Sequence, residues 1–309
     1  MYRKRNTLDP MHMQVDDSSS ELSGGRTAVQ SLGHRIMTDS AVPRLAHIRH
    51  VAFDMDGTIY LGDRLFDSTP RILATLRSLG VTYSFLTNNS SHSTDEYVAK
   101  LKQMGLEVTA DQLYTSTHAT AKYVQAHYPD VKRLYVLGTE SMQAEMRSFR
   151  FDVSDDREPD MVIVGFDRTM QYERLCKATW WIARGKPYIA SHPDRVCPTD
   201  LPTVLVDCGS ICAAIEHAVG RRPDAVIGKP EPRMLEGLCR SMKLETKEIA
   251  MVGDRLTTDM ALARRSDALG VLTLTGEATR EEAADHENEP DVIVDDLDEL
   301  GRLFLGAHR

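Results

Sequence analysis

From His50 onward the chain alternates short apolar runs with amphipathic stretches, the pattern of strand and helix units that fold into a parallel sheet. Val51-Ala52-Phe53 ends the first expected strand, and residues 81–86 form the second. Between them Thr69-Pro70 reads as an N-cap followed by proline at the first helical position, with Gly80 closing that helix. Ser93 with Glu96 makes a capping-box pattern that opens a further helix, running to about Gly105. After Tyr114 the alternation restarts, with helices over residues 116–126, 140–150 and 171–184 and strands over 133–137, 161–164 and 188–190. This block is long enough to be an α/β domain of its own, with Trp180-Trp181 in its core.

The first texture resumes with strands over 225–227, 249–252, 269–272 and 292–294, and helices over 232–242, 257–265 and up to about Leu305. The pattern therefore predicts an α/β protein with a Rossmann-like parallel-sheet core, residues 46–113 and 224–309, interrupted by an inserted α/β cap over 114–223. Residues 1–45 carry no sustained apolar period and read as a flexible tail.

Composition narrows the picture. The chain has 309 residues, 41% of them hydrophobic, enough for two domains. A formal net charge of -9 gives no general attraction to a nucleic-acid polymer or an anionic membrane, so any phosphate must be held by local positive charge. Five cysteines without a Cys-x-x-Cys pair indicate neither a disulfide framework nor a zinc knuckle. Cys208 and Cys212, one helical turn apart near His217, read as core residues. No run approaches the ~18 apolar residues of a membrane span, and no secretory signal is evident. A cytoplasmic location is expected.

The candidate chemistry lies at strand ends, where ligands of open parallel sheets bind. Asp54 follows Val51-Ala52-Phe53, Thr87 follows residues 83–86, and Asp254 follows residues 249–253. Asp54 could attack phosphorus while Asp56, two residues on, protonates the leaving oxygen and later activates water. Gly57 allows a tight turn that faces backbone amides toward the phosphate. Two carboxylates beside a phosphate call for a hard cation, and magnesium fits, held by Asp54, Asp254 and the backbone carbonyl of Asp56. Lys229, in Gly228-Lys229-Pro230, could neutralise nucleophile and phosphate. Thr87 and the amide of Asn88 are neutral donors for phosphate oxygens.

These segments resemble the four motifs of the haloacid-dehalogenase superfamily: Asp54-Met55-Asp56-Gly57-Thr58, Leu86-Thr87-Asn88-Asn89-Ser90, Gly228-Lys229-Pro230 and residues 253–259. Thr87-Asn88-Asn89 and the long insertion resemble the NagD-type and para-nitrophenyl-phosphatase subfamily. The resemblance implies Asp54 as nucleophile, Asp56 as acid and base, Thr87 and Lys229 at the phosphate, Asp254 on magnesium and Asp259 in support. It further implies that Asn88 and Asn89 help hold phosphate or substrate, and that Ser191-His192-Pro193-Asp194 overhangs the site from the cap. There Ser-His replaces the Thr-Asn of relatives; Asp194 is a candidate substrate contact and His192 a loop residue.

The expected activity is magnesium-dependent hydrolysis of small phosphate monoesters, such as sugar phosphates, glycerol-type phosphates or nucleoside monophosphates, through an aspartyl phosphate. Phosphotransferase or phosphomutase activity is the alternative. Dehalogenation fits less well because a halide needs no proton from Asp56, and a cap with an acid beside the nucleophile works against a phosphate-storing receiver module. The small phosphorylated metabolite is the expected partner, and the resemblance also implies a homodimer through the cap.

Overall fold

The computed structural model describes residues 41–197 and 202–309. Two parallel sheets dominate it. The first runs Val292–Val294, Leu269–Thr273, Ile249–Gly253, His50–Asp54, Thr82–Thr87, Leu113–Thr115. His50–Asp54 pairs on one side with Thr82–Thr87 and on the other with Ile249–Gly253, which enters the chain almost two hundred residues later. All pairs are parallel, and the order in which strands are added reverses beside Asp54, the place where open α/β sheets leave a crevice beyond the strand ends. Each residue of His50–Asp54 is buried, as expected of a central strand covered on both faces. Its alternation still sorts the faces: Val51 and Phe53 join one apolar cluster, and Ala52 joins another.

The second sheet runs Ala225–Val226, Tyr188–Ala190, Met161–Val164, Arg133–Leu137, Asp152–Val153. Leu134 and Val136 face the cluster that contains Ala52 and Leu86, whereas Tyr135 and Leu137 face the opposite side. The two sheets therefore share one apolar layer, and this layer holds Lys229's loop against the first sheet's strand ends.

Several sequence expectations need correction. The strand at Ala225–Val226 does not rejoin the first sheet; it pairs with Tyr188–Ala190 as an edge of the second, so the second unit's hydrogen-bonded ladder extends past residue 223. Residues 1–40 lie outside the described residues, but Ala41–Leu45 is a short helix rather than part of a tail. Leu45 is fully buried in the core cluster, and the Arg44 guanidinium donates to Asp291 Oδ1 at 2.8 Å. Of the tryptophan pair only Trp181 is core; Trp180 is half exposed under the Arg184 guanidinium. The helix expected to be capped by Thr69 and to begin at Pro70 spans Ser68–Ser78, and the Thr69 hydroxyl donates to the Ile59 carbonyl at 2.7 Å instead of capping. By contrast, the Ser93 and Glu96 box forms as read, and Cys208 and Cys212 are buried. Among the described residues no helix is long and apolar enough to cross a membrane.

Candidate active site

Asp54 is the last residue of its strand, and Thr87 ends the neighbouring one. Asp254 follows Gly253 on the other side. All three are buried, as is Lys229, which enters from the loop beyond Ala225–Val226. The Lys229 ammonium donates to Asp54 Oδ1 and, at 2.8 Å, to Asp259 Oδ1. Burial works against its charge, yet Asp259 and Asp54 outweigh that and hold its pKa above the ordinary lysine value. Asn88 fixes the lysine's backbone: its Oδ1 accepts from Lys229 N at 2.7 Å and its Nδ2 donates to Lys229 O at 2.8 Å. The same Nδ2 donates to Asp194 Oδ2 at 3.0 Å. The Asn88 side chain is thus taken up by Lys229 and the cap, which leaves its main-chain amide for a ligand. Gly228 makes this approach possible, since a Cβ there would lie 2.5 Å from Asn88 Oδ1 and 2.6 Å from His192 Cβ.

Asp259 arrives through local chain geometry. Residues 256–260 form a widened turn in which Met260 N donates to Arg255 O at 3.1 Å, five residues back, before a regular helix, Ala261–Ser266, begins. Such turns recur at functional sites because they re-aim a side chain. Here the turn brings the Asp259 carboxylate against Gly253, where any Cβ would collide with it.

Oxygen atoms of Asp54, Asp254 and Asp259 lie within 4.8 Å of one another. Burial, with mutual repulsion from Asp54, pushes the carboxyls of Asp254 and Asp259 above the usual range. The Lys229 ammonium pairs with Asp54 and Asp259 but not with Asp254, so the donor set fits a hard divalent cation that would add positive charge among the three carboxylates. Gly57, at φ +81°, and Gly276 leave room for Asp254: a Cβ on either would overlap its carboxylate. Glu277 N donates to Asp254 Oδ2 at 2.8 Å, and the Thr275 hydroxyl donates to Gly57 O at 2.6 Å.

Asp56, Thr87, Asn89, Asp194 and Lys229 all line one cleft of about 450 Å³, with Val196 and Cys197 also on its wall. That volume suits a metabolite rather than a macromolecular ester. Burial raises the Asp56 carboxyl pKa; the Gly62 amide and the Lys100 and Arg255 charges pull against it. The Asn89 Oδ1 is taken up locally, accepting from Ser91 N and Ser91 Oγ at 2.9 and 2.7 Å, so a ligand contact from this side chain falls to its Nδ2. Thr87 Oγ1 accepts from Asn89 N at 3.2 Å. His192, read as a loop residue, is fully buried: its ring nitrogens meet Asp207 Oδ1 and Ser191 Oγ, each at 2.8 Å. The Ser191 hydroxyl in turn reaches Ser90 Oγ at 3.2 Å, tying cap to core.

The sequence reading missed Gly276, Glu277, Arg255 and Lys100. Gly276-Glu277 follows the strand Leu269–Thr273, so the strand-end rule that found Asp54 and Asp254 could have flagged it. Lys100 sits with Lys102 in the last turn of the helix Thr94–Gln103, where no local signal separates a cleft lysine from a solvated one.

Residues 51–152 match a family model described as haloacid dehalogenase-like hydrolase, and residues 226–300 match a second model of HAD-hydrolase-like proteins. A 4-nitrophenylphosphatase from Thermotoga maritima is 38% identical, with a TM-score of 0.79 over 84% of this chain and 98% of that one. An acid sugar phosphatase from Staphylococcus haemolyticus is 30% identical over 79% of this chain and 92% of its own length. A glycerol phosphate phosphatase from Mycobacterium tuberculosis, solved in complex with calcium, is 28% identical, with a TM-score of 0.75 over 83% of this chain and 76% of that one. With motifs, sheet order and relatives in agreement, the chain belongs to the haloacid dehalogenase-like hydrolases, within their NagD and nitrophenylphosphatase branch of phosphatases.

Proposed function

We propose that this protein hydrolyses small phosphate monoesters in two half-reactions at Asp54. The observation that carries this reading is the Lys229 ammonium shared between Asp54 and Asp259 at the floor of the cleft, with Asp56 in the cleft wall. In the first half-reaction an Asp54 carboxylate oxygen attacks phosphorus and the bond from phosphorus to the ester oxygen breaks. Asp56 gives its proton to the departing alkoxide. The raised pKa of Asp56 favours the protonated form that this step needs. In the second, Asp56 takes a proton from water, the water oxygen bonds to phosphorus, and the aspartyl-phosphate bond breaks to free Asp54 and inorganic phosphate. Thr87 and the main-chain amide of Asn88 would hold phosphate oxygens, and Lys229 would offset charge on the nucleophile and phosphate.

Asp54 and Asp254, with Asp259 in support, would hold magnesium, which when bound neutralises phosphate charge and aligns the ester with the nucleophile. The donor chemistry supports the ion: three buried carboxylates lie together, and the Lys229 ammonium pairs with only two of them, Asp54 and Asp259. Asp194, bonded to Asn88 and lining the cleft, would touch the substrate's leaving portion. The reading is tested by Asp54→Asn, which is nearly isosteric. Turnover of nitrophenyl phosphate should vanish while the far-UV circular dichroism is kept; turnover at the wild-type rate removes the nucleophile assignment.

A further inference from the structure

Charged groups of the cleft fall into two sets. Most are answered by protein partners. Lys229 is held by Asp54 and Asp259, and Arg255 is ion-paired with the exposed Glu277 at 3.0 Å, without a hydrogen bond from its Nε. Asp194 accepts from Asn88 and Asp207 from its own helix's first amide, Cys208 N. Glu96 closes its capping box and accepts from the Ser141 hydroxyl at 3.0 Å, with His92 at 3.6 Å.

Lys100 differs. Its ammonium stands 4.5 Å from the Tyr60 ring centroid, and its ion pair with Asp63 spans 4.0 Å to a side chain wholly open to solvent. A pair so exposed contributes little, so a ligand anion can displace it. Its side chain is about one-third exposed, which leaves the ammonium reachable from the cleft.

Position gives this cation a chemical meaning. Lys100 lines the same cleft as Asp56 and Tyr60, and the Tyr60 whose ring it covers is joined to Asp56 by main-chain bridge pairing. In the phosphatase reading on which this inference rests, Asp56 protonates the ester oxygen, so its neighbourhood is where the leaving group lies. Lys229, by contrast, is on the nucleophile side. We infer that Lys100 binds a second anionic group on the leaving portion of the substrate, making phosphorylated acids or bisphosphates, rather than neutral polyol phosphates, the favoured class. The Tyr60 ring beneath the ammonium orients it without neutralising it.

The test uses matched pairs on the full chain: 3-phosphoglycerate against glycerol 3-phosphate, and fructose 1,6-bisphosphate against fructose 6-phosphate, with nitrophenyl phosphate as an ester lacking a second anion. Wild type should favour the doubly charged member of at least one pair in kcat/KM, and which pair responds tells a carboxylate from a second phosphate. Lys100→Gln should lower that preference roughly 10- to 100-fold, the range for losing a charge-assisted hydrogen bond. Lys100→Arg should keep most of it. A preference unchanged by Lys100→Gln, or an equal fall on all five esters, overturns the inference, the latter because it would mean that Lys100 acts only through Asp56 or packing. Wild-type preference for the neutral member of both pairs overturns it as well. Hydrolysis of nitrophenyl phosphate alongside any of these outcomes leaves the phosphatase reading standing; no hydrolysis of any ester removes both.

Discussion

Replacing Lys229 by methionine should expose how much of this site's stability rests on one ammonium. The substitution keeps an unbranched chain in the same buried space but takes away the ammonium that pairs with Asp54 and Asp259, in the cluster that also holds Asp254. Opposite charges ~4 Å apart attract by about 4 kcal/mol at an effective dielectric constant near 20, and Lys229 makes two closer contacts. Desolvation of the ammonium offsets part of this, so the expected net loss is about 3–5 kcal/mol, as for other buried pairs deprived of one partner. The loss should depend on pH. The Asp254 and Asp259 carboxyls already sit above their unfolded-state values, and removing the lysine raises them further. A carboxyl raised on folding contributes stability that is present below its unfolded pKa and is lost as pH rises through its folded pKa. Urea unfolding in chelator should therefore show the full deficit at pH 8 and a deficit smaller by at least ~1.4 kcal/mol at pH 5.5, equivalent to one unit of raised pKa on one group. Millimolar magnesium at pH 8 should restore part of it, since a divalent cation answers the same charges. A deficit equal at both pH values and indifferent to magnesium would refute the account, because the missing packing of the side chain would then explain everything.

Other perturbations probe separate parts of the argument. Gly57→Ala combines a φ of +81° with overlap on the Asp254 carboxylate, so turnover of nitrophenyl phosphate should fall at least ~10-fold from misplacement of that group, measured by steady-state kinetics on folded protein. Glu145 is buried and its carboxyl is pushed up to about 7 by desolvation, against hydrogen bonds from Thr94. Its protonated form is favoured by folding, so Glu145→Gln should match wild type near pH 4.5 and exceed it by roughly 1–3 kcal/mol at pH 8, read from thermal melts across that range. Leu45→Ala should cost about 2–3 kcal/mol in urea unfolding, because that side chain is fully buried in the core cluster; no loss would show that the short helix is not packed there in solution.

The sequence by itself determined the parts of this protein that depend on neighbours along the chain. A fully apolar strand followed by Asp-x-Asp-Gly, a strand ending in threonine, and a strand ending in Gly-Asp are local patterns, and each appears where its pattern put it. The Ser93 box is likewise a short-range affair of backbone amides and two side chains. Only the tertiary structure decided which of these ends meet and what each side chain is left free to do. The side chain of Asn88 grips the backbone of Lys229, 141 positions away, so only its main-chain amide is left for a phosphate oxygen. Ala225–Val226 has a strand's composition on either sheet, and its pairing with Tyr188–Ala190 was set by the shared apolar layer between the sheets. Lys100 is one of several helix lysines in sequence; what distinguishes it is the ring beneath it and the carboxylate across the cleft. Hydrophobic period and capping act over a few residues, so a chain displays them directly. The partner of a charge is fixed by packing between segments far apart, and so it emerges only when the whole chain has folded.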